Sequence, residues 1–181
     1  IFSAENMKPE HRFYCEKIGE HSLRVAQQAK KIASIEKCDK TIADEIFIAG
    51  ILHDIGNLVL VRVPGFIEER EKLRNREGAG IIEADMRILN VSHEWVGAYL
   101  LALWGIPKTV VQAVAFHHRP GNLRQDKFNV LTAIYTADIF ENYNGSEFNP
   151  EIMGLNMDYL EGVKCSQKAE YWWKETAELR E

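Results

Sequence analysis

A histidine and an aspartate interrupt the apolar run GILHDIGNLVL, which spans residues 50–60. Imidazole and carboxylate side chains are rarely buried without partners, because their removal from water is costly. His53 and Asp54 therefore need either hydrogen bonds to each other and to nearby backbone, or a metal ion that both can bind. The pair alone leaves both explanations open.

Five of the six histidines fall in four predicted helical segments, and Asp138 lies in an otherwise apolar stretch of a further segment. Imidazoles and carboxylates are ligands of zinc, manganese and iron. Taken singly, each residue has an ordinary explanation, such as a surface histidine at a helix start or imidazoles beside the negative end of a helix. The joint pattern favours metal binding by seven residues: His21, His53, Asp54, His93, His117, His118 and Asp138.

Apolar residues recur at helical spacing in at least five segments, and no sustained alternation predicts a strand. The segment around residues 41–61 is apolar on nearly all sides, which predicts a buried central helix started by Asp39 or Thr41 and broken at Gly56. His21 is predicted in the first turns of an amphipathic helix, and Ser92 is predicted to cap the helix that begins with His93. The pattern predicts an all-α fold, a helical bundle with the His53–Asp54 segment at its centre.

Composition restricts the class of protein. The chain has 181 residues, 46% of them hydrophobic, which fits a single domain over residues 1–181. The net charge of -5, without a block of lysine or arginine, argues against a nucleic-acid-binding surface. No apolar run is long enough for a membrane span. Three cysteines without CxxC spacing favour a reducing, cytoplasmic location.

Five stretches carry a family resemblance. They are EHSLRVA, AGILHDIGNLVL, SHEWVGAYLLALWGIP, VVQAVAFHHRP and TAIYTADIFE. In order and spacing, they resemble the HD superfamily of metal-dependent phosphohydrolases, and within it the HDOD domain of bacterial signalling proteins. The resemblance is strongest over residues 20–141, and residues 142–181 resemble the helical tail found where HDOD domains end response regulators. HDOD domains usually have a helical lobe before this region, so a fragment of a longer protein is expected.

Matched residue by residue, the resemblance implies two sets of metal ligands. One ion would be held by His21, His53, Asp54 and Asp138. The other would be held by His93, His117 and His118, with Asp54 bridging the two ions. The cofactor implied is one or two divalent transition-metal ions, of Fe, Mn, Zn or Ni. In an active enzyme, Asp54 would be catalytic as the bridging ligand of a metal-bound hydroxide.

Two features differ from the related HD-GYP phosphodiesterases. At the position of the His53–Asp54 pair, those enzymes have a motif resembling HDIGK, whose lysine would contact the anionic substrate. This chain has Asn57 in place of that lysine. The GYP triplet after the histidine pair is also missing, although Arg119 or Arg124 offers a positive charge nearby. Cyclic-dinucleotide hydrolysis therefore does not follow from the resemblance.

Two functions stay open. The first is an HDOD-type signalling output domain of a bacterial regulatory protein, with an intact dinuclear metal site and unidentified protein partners in its pathway. The second is a metal-dependent phosphohydrolase acting on nucleotides, cyclic dinucleotides or other phosphate esters. The complete ligand set favours the enzyme, whereas Asn57, the missing triplet and the regulatory associations of the family favour the signalling domain.

Overall fold

The computed structural model describes residues 9–180, and their regular structure is entirely helical. The all-α prediction is confirmed. The single-domain prediction for residues 1–181 includes residues 1–8 and 181, which lie outside the described part. The helices are α1 (Pro9–Ile35), α2 (Lys40–Leu52), α3 (Ile55–Leu60), α4 (Phe66–Glu77), α5 (Ile81–Leu89), α6 (His93–Leu103), α7 (Lys108–Phe116), α8 (Val130–Asn142), α9 (Pro150–Met153), α10 (Met157–Gly162) and α11 (Ala169–Glu175).

The main core lies where α1, α2, α7 and α8 pack together, with α6 against α3 and α7. Helix α8 is buried along nearly its whole length, in keeping with its mostly apolar sequence. Trp172 and Trp173 of α11 are both buried in the same core, so the C-terminal segment packs on the bundle. Among residues 9–180, no helix is long and apolar enough to cross a membrane.

Polar residues determine where the helices that carry the site begin. The Asp39 carboxylate accepts a hydrogen bond from the backbone N–H of Ile42 at 3.0 Å and caps α2, as predicted. Asn129 caps α8 in the same way through the N–H of Thr132. Ser92 precedes α6 as predicted, but its hydroxyl donates to the carboxylate of Glu94 instead of capping the helix.

Two local predictions are wrong. Helix α1 begins at Pro9, so His21 lies in the middle of a long helix, not in its first turns. Helix α2 ends at Leu52, and His53 and Asp54 form a turn before α3, so the break precedes Gly56. Gly56 instead allows close packing, because a Cβ at this position would overlap the backbone carbonyl of His93.

Candidate metal centre

All seven predicted ligands meet at one place in the bundle. They come from the middle of α1, the turn between α2 and α3, the start of α6, the turn after α7, and α8. The potential ligand atoms of Asp54, His93, His117 and His118 lie within 4.8 Å of one another. Those of His21, His53 and Asp138 form a second group by the same measure.

His53 and His117 are held by the same local device. The Nδ1 of each ring lies 2.8 Å from the backbone carbonyl three residues earlier, that of Gly50 for His53 and that of Val114 for His117. A carbonyl can only accept, so Nδ1 carries the proton, and in the neutral form of each ring Nε2 is the bare nitrogen. Both Nε2 atoms are buried and have no hydrogen-bond partner. Such lone pairs are costly to bury unless a cation or a donor meets them.

Asp54 lies between the two groups of ligands. Its Oδ2 is 3.6 Å from Nε2 of His53, and its Oδ1 is 3.3 Å from Nε2 of His93. The same Oδ1 lies 3.8 Å from Nε2 of His117. A carboxylate with one oxygen toward each group has the position that a bridging ligand requires.

Asp138 connects the remaining ligands. Its Oδ1 lies 3.0 Å from Nε2 of His21 and 3.8 Å from Nε2 of His53, and its Oδ2 lies 3.7 Å from Nδ1 of His118. The amide of Asn142, one turn further along α8, donates to the same carboxylate at 2.8 Å. These contacts hold Asp138 in one orientation toward the centre.

Burial and mutual contact shift the ionisation of these groups. Burial alone would raise the pKa of Asp138, but the hydrogen bond from His21 lowers it, and this pKa lies well below its usual range. Burial would lower the pKa of His21, yet the hydrogen bond and charge of Asp138 outweigh it and raise that pKa. Burial lowers the pKa of His118 to about 3. His118 is therefore a neutral imidazole, the form that binds metal.

His93 is oriented by a residue that the sequence did not single out. Oδ2 of Asp85, in α5, accepts from the backbone N–H of His93 at 3.0 Å and lies 2.6 Å from its Nδ1. The Nε2 of His93 then faces Nε2 of His118 at 3.1 Å. Two imidazole nitrogens at this distance are arranged as two ligands of one ion would be.

The predicted substrate-contact residue Asn57 is also part of this arrangement. It is buried, and its amide donates to Oδ1 of Asp54 at 2.8 Å. Its carbonyl oxygen accepts from Arg70, in α4, at 2.8 Å. Arg70 is the cation nearest this position, whereas Arg119 pairs with the buried carboxylate of Glu94 at 2.7 Å. Arg70 and Asp85 were missed because they lie in segments that read as charged, solvent-facing helices.

A cavity of about 460 Å³ opens on one side of the centre. Asp54, Asn57 and Asp138 form part of its wall, and two cations, Lys17 of α1 and Arg74 of α4, also line it. The centre can therefore be reached by a small molecule, and the cavity places positive charge around it.

The donor set fits divalent metal ions. Two buried lone pairs lack partners, two carboxylates are held in their ionised form, and the His93–Asp85 contact is the carboxylate–histidine arrangement that supports metal ligands. We therefore regard the two clusters as the candidate ligands of a divalent metal.

The helical bundle and its histidine–aspartate centre define a domain of the HD type. The family model of the HDOD domain matches residues 1–120. The chain belongs to the HDOD domain family, within the HD superfamily.

Solved structures share this fold. A crystal structure of an HDOD domain protein of unknown function from Geobacter sulfurreducens superposes with a TM-score of 0.71 at 21% identity, over 90% of this chain and 57% of the other. A "Putative phosphohydrolase" from Shewanella amazonensis SB2B gives 0.62 at 16% identity, over 100% of this chain and 67% of the other.

One curated relative, an uncharacterized protein of Treponema pallidum, is 25% identical over 102 residues. The match covers 56% of this chain but only 20% of that protein. The chain therefore spans about a fifth of the length of this relative.

Proposed function

We propose that the chain is an HDOD-type signal-transduction domain that holds a dinuclear divalent metal centre. The ligands would be the seven residues named above, with Asp54 between the two ions. Its partners would be proteins of a bacterial regulatory pathway, such as a two-component system in which it ends a response regulator. The odd cysteine count favours a cytoplasmic setting, and residues 1–181 would act as one domain.

One observation carries the metal part of this proposal. The buried Nε2 atoms of His53 and His117 face the centre without a partner, while the protons of both rings are held on Nδ1 by backbone carbonyls. A core that merely tolerated these histidines would pair their lone pairs with donors. When bound, two such ions would activate water and offset negative charge on a phosphate group.

The signalling part is supported by the absence of a free positive charge at two positions near the centre where the sequence suggested a contact to a phosphate. Asn57, where active relatives have a lysine, is engaged by Asp54 and Arg70 and carries no charge. The side chain of Arg119 is occupied by Glu94. The metal centre would then organise the fold, while surfaces outside the site contact the partners.

Metal analysis of protein purified without chelator tests the proposal. We expect up to two equivalents of a first-row transition metal in the wild type. His53→Ala should reduce this content, because it removes a buried ligand, whereas His11→Ala, in the first turns of α1 and outside both ligand groups, should leave it unchanged. Wild-type protein that retains no metal and takes up none on addition would reject the dinuclear centre.

A second function, phosphohydrolysis, is favoured by one specific observation. The 460 Å³ cavity places Lys17 and Arg74 on the wall that also contains Asp54 and Asp138. Cations of this kind would orient a phosphate ester toward the centre and stabilise its negative charge. The proposed substrates are nucleotides, cyclic dinucleotides or other phosphate esters.

An activity screen separates the two functions. Metal-loaded protein is assayed with cyclic dinucleotides, nucleotides and a chromogenic phosphodiester, with Asp54→Asn as the control that removes the bridge. Metal-loaded protein without turnover supports the signalling role. Turnover that requires Asp54 would instead establish the enzyme.

A further inference from the structure

A buried ion pair joins the metal centre to a part of the fold that contributes no ligand. Arg70 of α4 and Asp85 of α5 are 3% and 0% exposed, and Nε of Arg70 lies 2.9 Å from Oδ1 of Asp85. Buried charges are costly unless they are paired and hydrogen-bonded. Their presence here calls for a role beyond stability, because an apolar pair of similar size would hold two helices together at lower cost.

The hairpin formed by α4 and α5 has little apolar attachment to the bundle. Its buried residues Leu73, Ala79 and Ala84, with Ile88, form a small cluster separate from the main core. Phe66, at the start of α4, is also buried, and the guanidinium of Arg70 lies 5.2 Å from its ring centre. The polar contacts of Arg70 and Asp85 are therefore a main buried link between this hairpin and the ligands.

Asp85 acts directly on a ligand. Its Oδ2 receives both the backbone N–H and the Nδ1–H of His93, which leaves Nε2 of that ring free to bind metal. A carboxylate in this position fixes the tautomer and raises the basicity of the histidine. Without Asp85, the His93 ring could turn or carry its proton on the wrong nitrogen.

Arg70 pairs with Asp85 and also reaches toward a second ligand. One of its terminal nitrogens donates to Asn57 at 2.8 Å and to the hydroxyl of Tyr14 at 2.6 Å. Asn57 in turn donates to Oδ1 of Asp54. A single guanidinium thus connects α1, the start of α3, and α5 with two of the candidate ligands.

We infer that Arg70 and Asp85 are positioning residues for the metal ligands His93 and Asp54, and that they couple metal occupancy to docking of the α4–α5 hairpin. The inference rests on the proposed metal centre. Because coupling between two events is reciprocal, a hairpin that orients His93 must itself be held more firmly when metal is bound.

The experiment measures Zn²⁺ affinity by chelator competition, together with amide hydrogen exchange over residues 66–89 with and without Zn²⁺. We expect Asp85→Asn to weaken Zn²⁺ binding by about 10- to 100-fold, the usual effect of losing such a support. Saturating Zn²⁺ should slow exchange across the hairpin in the wild type but not in this variant. Glu77→Gln is the matched control, because Glu77 pairs with Arg87 on the exposed side of the same hairpin at 2.8 Å.

Arg70→Lys and Arg70→Met extend the test. The lysine retains the charge and should recover part of the affinity that the methionine loses. If Asp85→Asn fails to fold, the effect of Zn²⁺ on amide hydrogen exchange over residues 66–89 of the wild type still tests the coupling. Two results would overturn this inference without affecting the proposed function. One is wild-type hydrogen exchange over residues 66–89 that does not change when Zn²⁺ binds. The other is an Asp85→Asn variant that binds Zn²⁺ as tightly as Glu77→Gln does. A wild type that binds no metal would overturn the proposed function as well.

Discussion

Asn57 donates a hydrogen bond from its side-chain amide to Oδ1 of Asp54, at 2.8 Å. The residue that would contact a substrate in active relatives is thereby used to orient the central carboxylate. The side-chain carbonyl oxygen of Asn57 accepts a hydrogen bond from Arg70. The positive charge near this position therefore belongs to Arg70 of α4, not to residue 57 itself.

Replacement of Asn57 by lysine should destabilise the protein. Asn57 is only 2% exposed, and a lysine there would bring a second positive charge beside Arg70 and remove the acceptor for its guanidinium. Leaving buried groups unpaired costs about 1–3 kcal/mol. We expect a lower melting temperature for Asn57→Lys in thermal unfolding, and no gain in phosphodiesterase turnover.

The exposed residue Asn144 provides the control, since Asn144→Lys adds the same charge at the surface. Increased hydrolysis by Asn57→Lys alone would instead show that this position limits activity.

Removal of metal should lower the stability of the wild type. A ligand that binds only the folded state, present at 100 times its Kd, stabilises by about 2.7 kcal/mol. For a chain of this size, that corresponds to a change in melting temperature of about 5–10 °C. Calorimetry before and after chelation measures it. His117→Ala should lose most of this response, because the variant lacks a buried ligand. An identical chelator effect in both proteins would mean that His117 is not a ligand.

Glu94 should position the histidine pair. Its Oε1 accepts from the backbone N–H of His118 at 3.2 Å, and its Oε2 pairs with Arg119 at 2.7 Å, although the carboxylate itself is fully buried. Glu94→Ala removes both contacts, and we expect it to lower the free energy of unfolding by about 1–3 kcal/mol in urea denaturation. The metal content should fall too. Glu170→Gln disrupts an exposed pair with Lys174 and should change stability by less than about 0.5 kcal/mol.

Glycine at position 56 should be required for the contact between α3 and α6. A Cβ there would overlap the backbone carbonyl of the candidate ligand His93. Gly56→Ala should therefore cost about 1–3 kcal/mol, as overpacking does, and weaken metal binding by displacing His93. Gly19→Ala, on an open face of α1, should instead stabilise by about 0.5–1 kcal/mol. Chemical unfolding should therefore show a lower free energy of unfolding for Gly56→Ala and a higher one for Gly19→Ala. A Gly56→Ala variant as stable as the wild type would contradict the close contact.

Much of the fold could be predicted from the sequence, because helical periodicity is a local property of the chain. The apolar faces predicted the main helices, and Asp39, one of the two predicted cap residues, caps α2. The spacing of histidines and aspartates, together with the family resemblance, singled out the seven residues that the fold brings together. Even the orientation of His53 and His117 uses only a carbonyl three residues away in the same helical turn.

Other parts of the site depended on how distant segments dock. In the sequence, Arg70 and Asp85 lie in a charged stretch typical of an exposed surface, and no local signal marks them as buried partners. Their burial depends on the position of α4 and α5 against the start of α6, which juxtaposes Asp85 and His93 across eight residues of chain. A buried charge is tolerated only where a complementary group meets it in three dimensions. Residue type and spacing were therefore enough to identify the candidate ligands, whereas only tertiary packing determined which residues orient them.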